Sequence, residues 1–435
     1  MKQLLSIPSF LDELAWRGMV HQTTPNLAKH LENGKRVGYI GFDPTATSLH
    51  IGSLATLNLL VHFARAGHKP IALVGGATGM IGDPSGKSEE RKLQSEKDIL
   101  HNVACVRAQL CDIFSRAGLP EVDLVNNLDW FGPMSVIDFL RTVGKTLTVN
   151  YMAAKDSVKS RMDAGISFTE FSYQLLQGFD FVQLNRQQGV TIQMGGADQW
   201  GNMTSGTEML RRLDQAEGEV LTTPLITKAD GTKFGKSDGG NVWLDPAQTS
   251  PYTFYQFWLN VADEEAERYL KVFTFLTKEE IEAVLATHAT APHMRHAQKA
   301  LAEAVTAFIH GDDALAKALS ATSLLFGAGT FAQWQALPEP ELLELLAGVP
   351  HYMLAAQEQG VEKIEEYDLL GQLSTGTGNK LFASKSEARK LIAGGGLALN
   401  LAKADGYEVL NTLPRLCGKY ILGQKGKKNF FLLEL

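Results

Sequence analysis

A chain of 435 residues with 44% hydrophobic and 20% charged residues has the length for about three domains and enough apolar side chains for a sizeable core. That balance excludes a disordered, collagen-like or low-complexity protein. Three scattered cysteines, Cys105, Cys111 and Cys417, supply neither a disulfide framework nor a CxxC metal site and point to a reducing, cytoplasmic compartment. The net charge of −7 divides unevenly: Gly371–Leu435 carries +6 and the preceding residues −13. A basic tail on an acidic body suits contact with a polyanion, but a solubilising surface has the same composition. Near the amino terminus a short apolar run is broken by Pro8, Asp12 and Glu13, unlike a signal peptide. The uncharged stretch Pro44–Ala64 holds His50, Asn58 and His62, unlike a membrane span.

In chain order, Val37–Phe42 reads as a first strand. Leu54, Leu57, Leu60, Val61 and Ala64 then recur at helical spacing, with Gly67 as a stop. Pro70–Val74, Val122–Val125, Val190–Met194 and Val220–Ile226 read as further strands. Strands alternating with helices at this spacing predict parallel crossovers and a sheet covered on both faces. Beyond Asp245 the pattern is helical, and Thr277-Lys278-Glu279-Glu280 has the form of a capping box, with Leu276 and Ile281 at the spacing of a hydrophobic staple. In the tail, Ser384-Lys385-Ser386-Glu387 opens a short helix that stops at Gly394-Gly395-Gly396. Strand-like runs follow at Leu397–Asn400, Tyr420–Leu422 and Phe430–Leu433. The expected division is an α/β, Rossmann-like catalytic domain over 1–245, an α-helical domain over 246–325, a linker region over 326–370 and a small α+β module over 371–435.

In an open α/β sheet, ligands bind beyond the carboxyl ends of the strands. Five Gly-rich or polar runs fall there: Tyr39–Thr45 leading to Leu49–Ser53, Gly75–Lys87, Asn126–Trp130, Gly195–Asn202 and Lys228–Ser237. Glycines let a backbone approach a ligand, and N–H groups at helix starts bind phosphate. Neither Gly82…Gly86-Lys87-Ser88 nor Gly231…Gly235-Lys236-Ser237 is a P-loop, because each has three residues between its glycines where four are needed. Taken singly, each feature has an ordinary reading: His50 as a helix cap, the lysines as a solvated loop, Tyr39 and Asp180 as core and surface. The joint placement at five strand ends is harder to assign to geometry alone.

The run YIGFDPTATSLHIGS resembles the first signature of class I aminoacyl-tRNA synthetases, with Ser53 where the signature has its second His, and KFGKS resembles the second, lysine-bearing signature. Together with GGATGMIGDPSGK, VNYMAAKDSV, GISFTEFSYQLLQGFDF and GGADQWGN, the chain looks like a bacterial tyrosyl-tRNA synthetase over nearly its whole length. The tail looks like that family's alpha-L RNA-binding module, although Leu401-Ala402 stands where the module commonly has a Gly.

That resemblance implies attack of the tyrosine carboxylate on ATP, giving tyrosyl-adenylate, and transfer of the tyrosyl group to tRNA(Tyr). It implies Tyr39 and Asp180 on the substrate phenol, and Asp83, Tyr173 and Gln177 on the ammonium, with Tyr173, Gln177 and Asp180 on one helix face. Gln193, Gln199, Asp43 and Asp198 would line the carboxylate, α-phosphate and ribose. Thr56 would sit near the ribose, Ser53 would take a phosphate- or ribose-side position on ATP, the backbone around Gly52 would meet phosphate, and Gly41 and Gly196 would allow close approach. His50, Lys87, Arg91, Lys233 and Lys236 would gather on the phosphates. Mg2+ would travel with ATP, with no metal site of the protein's own. Lys385, Arg389, Lys390, Lys425, Lys427 and Lys428 would meet tRNA. The family is homodimeric, and the apolar segment Trp130–Leu140 is a candidate contributor to the interface. Two competing readings are a tryptophanyl enzyme of the same fold, which would not pair Tyr39 with Asp180, and a non-catalytic RNA-binding relative, which would not need Asp83 or the lysine loop.

Overall fold

The computed structural model describes residues 9–85, 93–162, 165–227, 234–237, 240–326, 330–346, 348–354, 368–404, 410–426 and 429–435. Six strands make the main sheet: β1 (Gln22–Thr23), β2 (Val37–Phe42), β3 (Lys69–Val74), β4 (Asp123–Asn126), β5 (Ile192–Gly196) and β6 (Glu219–Thr223). Their spatial order is β1-β6-β5-β2-β3-β4. The five strands expected from the sequence all form, each within a few residues of its expected limits, and all pair in parallel. The two-residue edge strand β1, antiparallel to β6, is too short to carry a periodic signal.

The chain runs outward from β2 through β3 to β4, then returns to lay β5 and β6 on the other side of β2. The sheet therefore reverses direction between β2 and β5, and the crevice at their carboxyl ends is the place such a fold reserves for a ligand. The helix Leu54–Arg65 covers one face, burying Leu54, Leu57, Leu60 and Val61. The helix Phe168–Gln188 lies in the long β4–β5 crossover and is buried on most of its circumference, which is why it can carry polar side chains into the interior. Downstream, the capping box at Thr277 is present, with Thr277 N donating to Glu280 at 2.8 Å and Glu280 N donating to Thr277 Oγ1 at 3.2 Å.

Two compact units emerge, Met1–Gln248 with Phe257–Gly311, and Thr249–Gln256 with Asp312–Leu435. The first unit has a short hairpin of β7 (Lys236–Ser237) and β8 (Gly240–Asn241). The second has the helices Asp312–Phe326, Phe331–Gln335 and Glu339–Leu345 beside a five-stranded sheet. That sheet consists of β9 (His351–Met353), β10 (Leu397–Leu399), β11 (Ala402–Lys403), β12 (Tyr420–Lys425) and β13 (Asn429–Glu434), in the order β11-β10-β12-β13-β9. β9 comes from the segment read as a linker and pairs in parallel with β13.

One face of this sheet shares a core with Leu325, Trp334, Leu342, Leu346 and Val349 through Leu416, Tyr420, Leu422, Phe430 and Leu432. The tail is thus packed into its unit and cannot be cut away at Leu370 without exposing that core. Ser384 caps the helix Lys385–Ala393, but Glu387 accepts from Ala383 N at 3.0 Å, so the capping-box pattern of Ser384-Lys385-Ser386-Glu387 closes only on its Ser384 side. Among the described residues no helix is long and apolar enough to cross a membrane.

Candidate active site at the sheet's switch point

Tyr39 on β2 and Gln193 on β5 are register partners across the switch point. Both side chains are buried, yet neither the Tyr39 hydroxyl nor Gln193 Oε1 has a hydrogen-bond partner among the described residues. Gln177 Oε1, on the helix Phe168–Gln188, is in the same condition. Buried polar groups are normally paired, so the Tyr39 hydroxyl, near the buried Asp180, is a group that a polar ligand would complete, whereas Gln193 Oε1 lies against Gly206 of the helix Trp200–Asp214. Gly41, two residues beyond Tyr39, is exposed although its strand is central. A Cβ there would meet nothing closer than Leu73 Cδ2 at 3.8 Å, so the backbone faces open space that a ligand can use.

Asp180 sits at the buried end. Its Oδ1 accepts from Trp130 Nε1 at 3.0 Å and its Oδ2 from Asn127 Nδ2 at 3.1 Å. Burial pushes its carboxyl pKa well above the usual range, and the two donated bonds pull it back. Burial, and then the nearby Asp180, raise the Tyr39 hydroxyl, which therefore stays protonated. A second carboxylate, Asp83, accepts from Ser85 N at 3.0 Å, Gln199 Nε2 at 2.6 Å and Asn202 Nδ2 at 3.4 Å. Its pKa is raised by burial and lowered by the Ser85 and Gln199 bonds. A third, Asp43, takes Thr78 Oγ1 at 2.7 Å and the Tyr173 hydroxyl at 2.8 Å. Tyr173 is raised mainly by burial and then by Asp43 and Asp83.

Tyr39, Asp43, Asp83, Tyr173, Gln177, Asp180, Gln193, Asp198 and Gln199 thus come from four separated stretches to one end of the sheet or to the helix that covers it. Asp198 and Gln199 form a short helical turn opened by Gly196, where a Cβ would stand 2.7 Å from Asp198 Oδ1. Trp130, Asn127, Thr78, Ser85 and Asn202 were not singled out as site residues in the sequence. The strand-end runs that contain them were, but a run does not reveal which carboxylate each donor will meet.

His50 behaves here as the ordinary reading had it. Its Nδ1 accepts from Gly52 N at 3.0 Å and caps the turn Ile51–Ser53. The Gly52 N–H expected at the phosphate is engaged by His50, and a ring accepting at Nδ1 carries its proton on Nε2 when neutral. Ser53 leads into the helix Leu54–Arg65 without a side-chain cap, and its carbonyl accepts from Thr56 Oγ1 at 2.9 Å. Lys87, Arg91 and Lys233 lie outside the described residues, and of Lys236 only the backbone, in β7, is described.

In the tail, Lys385 pairs with Asp368 at 3.6 Å and Lys425 with Glu387 at 2.8 Å. Arg389 and Lys390 are exposed with no ion pair among the described residues, while Lys427 and Lys428 lie outside them. Lys425 and Asn429 are register partners at the end of the β12–β13 hairpin.

The sheet order, the switch-point pocket and the two signatures define a class I aminoacyl-tRNA synthetase. Residues 32–327 match the family of class I tRNA synthetases for tryptophan and tyrosine. The chain is 51% identical to the tyrosine–tRNA ligase of Cytophaga hutchinsonii over 98% of its own length and 99% of that protein, and 50% identical to that of Bacteroides thetaiotaomicron over the same shares. A C-terminally truncated mitochondrial tyrosyl-tRNA synthetase of Aspergillus nidulans superposes with a TM-score of 0.67 at 29% identity, covering 74% of this chain and 95% of that one. The chain belongs to the tyrosine–tRNA ligase family.

Proposed function

We propose that the chain activates L-tyrosine with ATP and transfers it to tRNA(Tyr). A carboxylate oxygen of tyrosine attacks the α-phosphorus, the bond to the β-phosphate breaks, and pyrophosphate leaves. A ribose hydroxyl of the terminal adenosine then attacks the adenylate carbonyl, and AMP leaves. The observation that carries this reading is a buried Tyr39 hydroxyl without a hydrogen-bond partner among the described residues, close enough to the buried Asp180 carboxylate to feel its charge, which suits a phenol that both donates and accepts. A substrate without that hydroxyl would leave both groups unpaired.

Tyr173, Asp83 and Gln177 hold the ammonium, and Gln193 and Gln199 serve the carboxylate side. Gly41, Asp43, Gly52, Ser53, Thr56, Gly196 and Asp198 serve ATP. His50, Lys87, Arg91, Lys233 and Lys236 act on the phosphates, with Mg2+ accompanying the nucleotide. Because no covalent enzyme intermediate is needed, catalysis rests on positioning and on donors aimed at developing charge.

Arg389 and Lys390, exposed and without an ion pair among the described residues, are available to tRNA, with Lys385 and Lys425 entering only if they exchange Asp368 and Glu387 for phosphate. Exposed Val136, Ile137 and Leu140 support a homodimer through that face, and the unpaired cysteines support a cytoplasmic setting. Aminoacylation of bulk tRNA with each amino acid in turn tests the substrate: only tyrosine should be charged. Asp180→Ala should abolish tyrosine-dependent ATP–pyrophosphate exchange while ATP binding persists, and unchanged exchange would reject the pocket.

A further inference from the structure

The lysine-bearing signature contains one apolar residue, and the structure gives it a socket. Phe234 lies between Lys233 and Lys236 and is 4% exposed. Its ring stacks on Phe273 at 5.2 Å and 13°, and meets Tyr269 at 5.1 Å, Trp258 at 5.8 Å and Phe257 at 5.9 Å. Offset and edge contacts of this kind add to what burial alone contributes.

The backbone leaving the socket is tied to the first signature. Gly235, at φ +97, accepts at its carbonyl from Val242 N at 3.1 Å, and the Val242 carbonyl accepts from Ile51 N at 3.0 Å. Leu244 N donates to the Leu49 carbonyl at 2.9 Å. His50 sits between these two bonds.

The socket itself is held to the same frame. Asn58, on the helix that the first signature opens, donates to the Val272 carbonyl at 3.0 Å. Buried Arg17 donates to the carbonyls of Lys271, Thr274 and Leu276 at 2.7–2.9 Å, closing the end of the helix that carries Tyr269 and Phe273. Both signatures are therefore referenced to one packed body.

We propose that Phe234 is a positioning residue: its seat in the Phe257, Trp258, Tyr269 and Phe273 socket fixes the backbone that carries Lys236 relative to His50 during tyrosine activation. This rests on the reading that Lys233 and Lys236 act on the phosphates. Charge alone does not need the ring; placement does. Losing the anchor leaves the charges in the chain but releases the backbone that carries Lys236, a cost felt where the reacting groups must be aligned. The loss falls on kcat and leaves substrate affinity in place.

The test is tyrosine-dependent pyrophosphate exchange in the full chain with Phe234→Met, Phe234→Leu and Phe234→Ala, each alone and combined with Lys236→Ala. Phe234→Ala should lower kcat roughly tenfold or more, with the KM for tyrosine within about twofold, and Phe234→Met should restore most of the rate. In the Lys236→Ala background the further loss from Phe234→Ala should shrink to within about twofold, because the two act through one interaction. If Phe234→Ala is silent, or its loss is the same in both backgrounds, the proposal falls while the lysine reading stands. A silent Lys236→Ala overturns the lysine reading and the proposal with it. Should Phe234→Ala fail to fold, Phe234→Leu and the socket variant Phe273→Leu carry the same comparison.

Discussion

Trp130→Phe isolates one hydrogen bond to the buried carboxylate that we assign to the phenol. Trp130 Nε1 donates to Asp180 Oδ1 at 3.0 Å, and Asn127 supplies the only other donor recorded on that carboxylate among the described residues. A hydrogen bond to a charged, buried group contributes about 1.5–3 kcal/mol. Replacing the indole by a phenyl ring keeps an apolar surface against Val143 and Phe179 in the same core but removes the donor. The ionised form of Asp180 should lose that amount, which raises a pKa that burial has already raised.

Two consequences follow at roughly 1.4 kcal/mol per factor of ten or per pH unit. The kcat/KM for tyrosine should fall about ten- to a hundredfold, and the acid limb of its pH profile should move upward by about one to two units. The sign of the stability effect is also set. A carboxyl with a raised folded pKa contributes stability that is complete below the unfolded value and is lost as pH rises through the folded value. The variant's deficit in thermal stability should therefore widen toward alkaline pH. The assay is pyrophosphate exchange across pH, with the KM for ATP as the internal reference. An unchanged acid limb in a folded Trp130→Phe protein would refute the reasoning, because a packing defect alone lowers activity without moving that limb.

Other expected outcomes rest on different parts of the molecule. Asn400 and Leu401 form a two-residue turn between β10 and β11 with φ of 49° and 68°, a left-handed pair for which Asn-Gly is the usual choice; Leu401→Gly should stabilise the second unit by about 0.5–1 kcal/mol net, read as a higher urea midpoint, and a lower midpoint would refute it. Arg161 donates twice to Glu170, at 3.2 and 3.1 Å, in a buried pair; Glu170→Leu should cost about 3–5 kcal/mol and the double variant Glu170→Leu/Arg161→Met much less, so equal melting temperatures for the two would reject a paired-charge account. Arg389→Glu with Lys390→Glu should weaken tRNA binding and make its salt dependence shallower by about 1 per lost phosphate contact, with adenylate formation unchanged; an unaltered slope would leave the tail a solubilising surface. Charge reversal leaves intact the core that the tail shares with Trp334 and Leu342.

Much of this molecule was legible in the amino-acid sequence because the signals are local. Apolar runs such as Val37–Phe42 and the helical recurrence of Leu54, Leu57, Leu60 and Val61 depend only on neighbours a few residues apart, and the structure forms them as read. The capping box at Thr277 needs four consecutive residues and is present. The strand-end runs could also be placed, since parallel crossovers put every strand's carboxyl end on one side of the sheet.

The pairing of distant groups belongs to tertiary structure alone. Trp130 and Asn127 meet Asp180 about fifty residues later, and Asp43 meets Tyr173 across 130 positions. No period or spacing in the chain encodes such a meeting; the reversal of strand order between β2 and β5 creates it. The same holds for β9, three residues within a segment that reads as a linker until β13 offers its edge. It holds for Phe234, an apolar residue among charges whose meaning depends on rings supplied by residues 257–273. Local propensity decides which elements form, whereas topology decides which polar and aromatic groups share one low-dielectric space, and only there do their interactions become strong enough to matter.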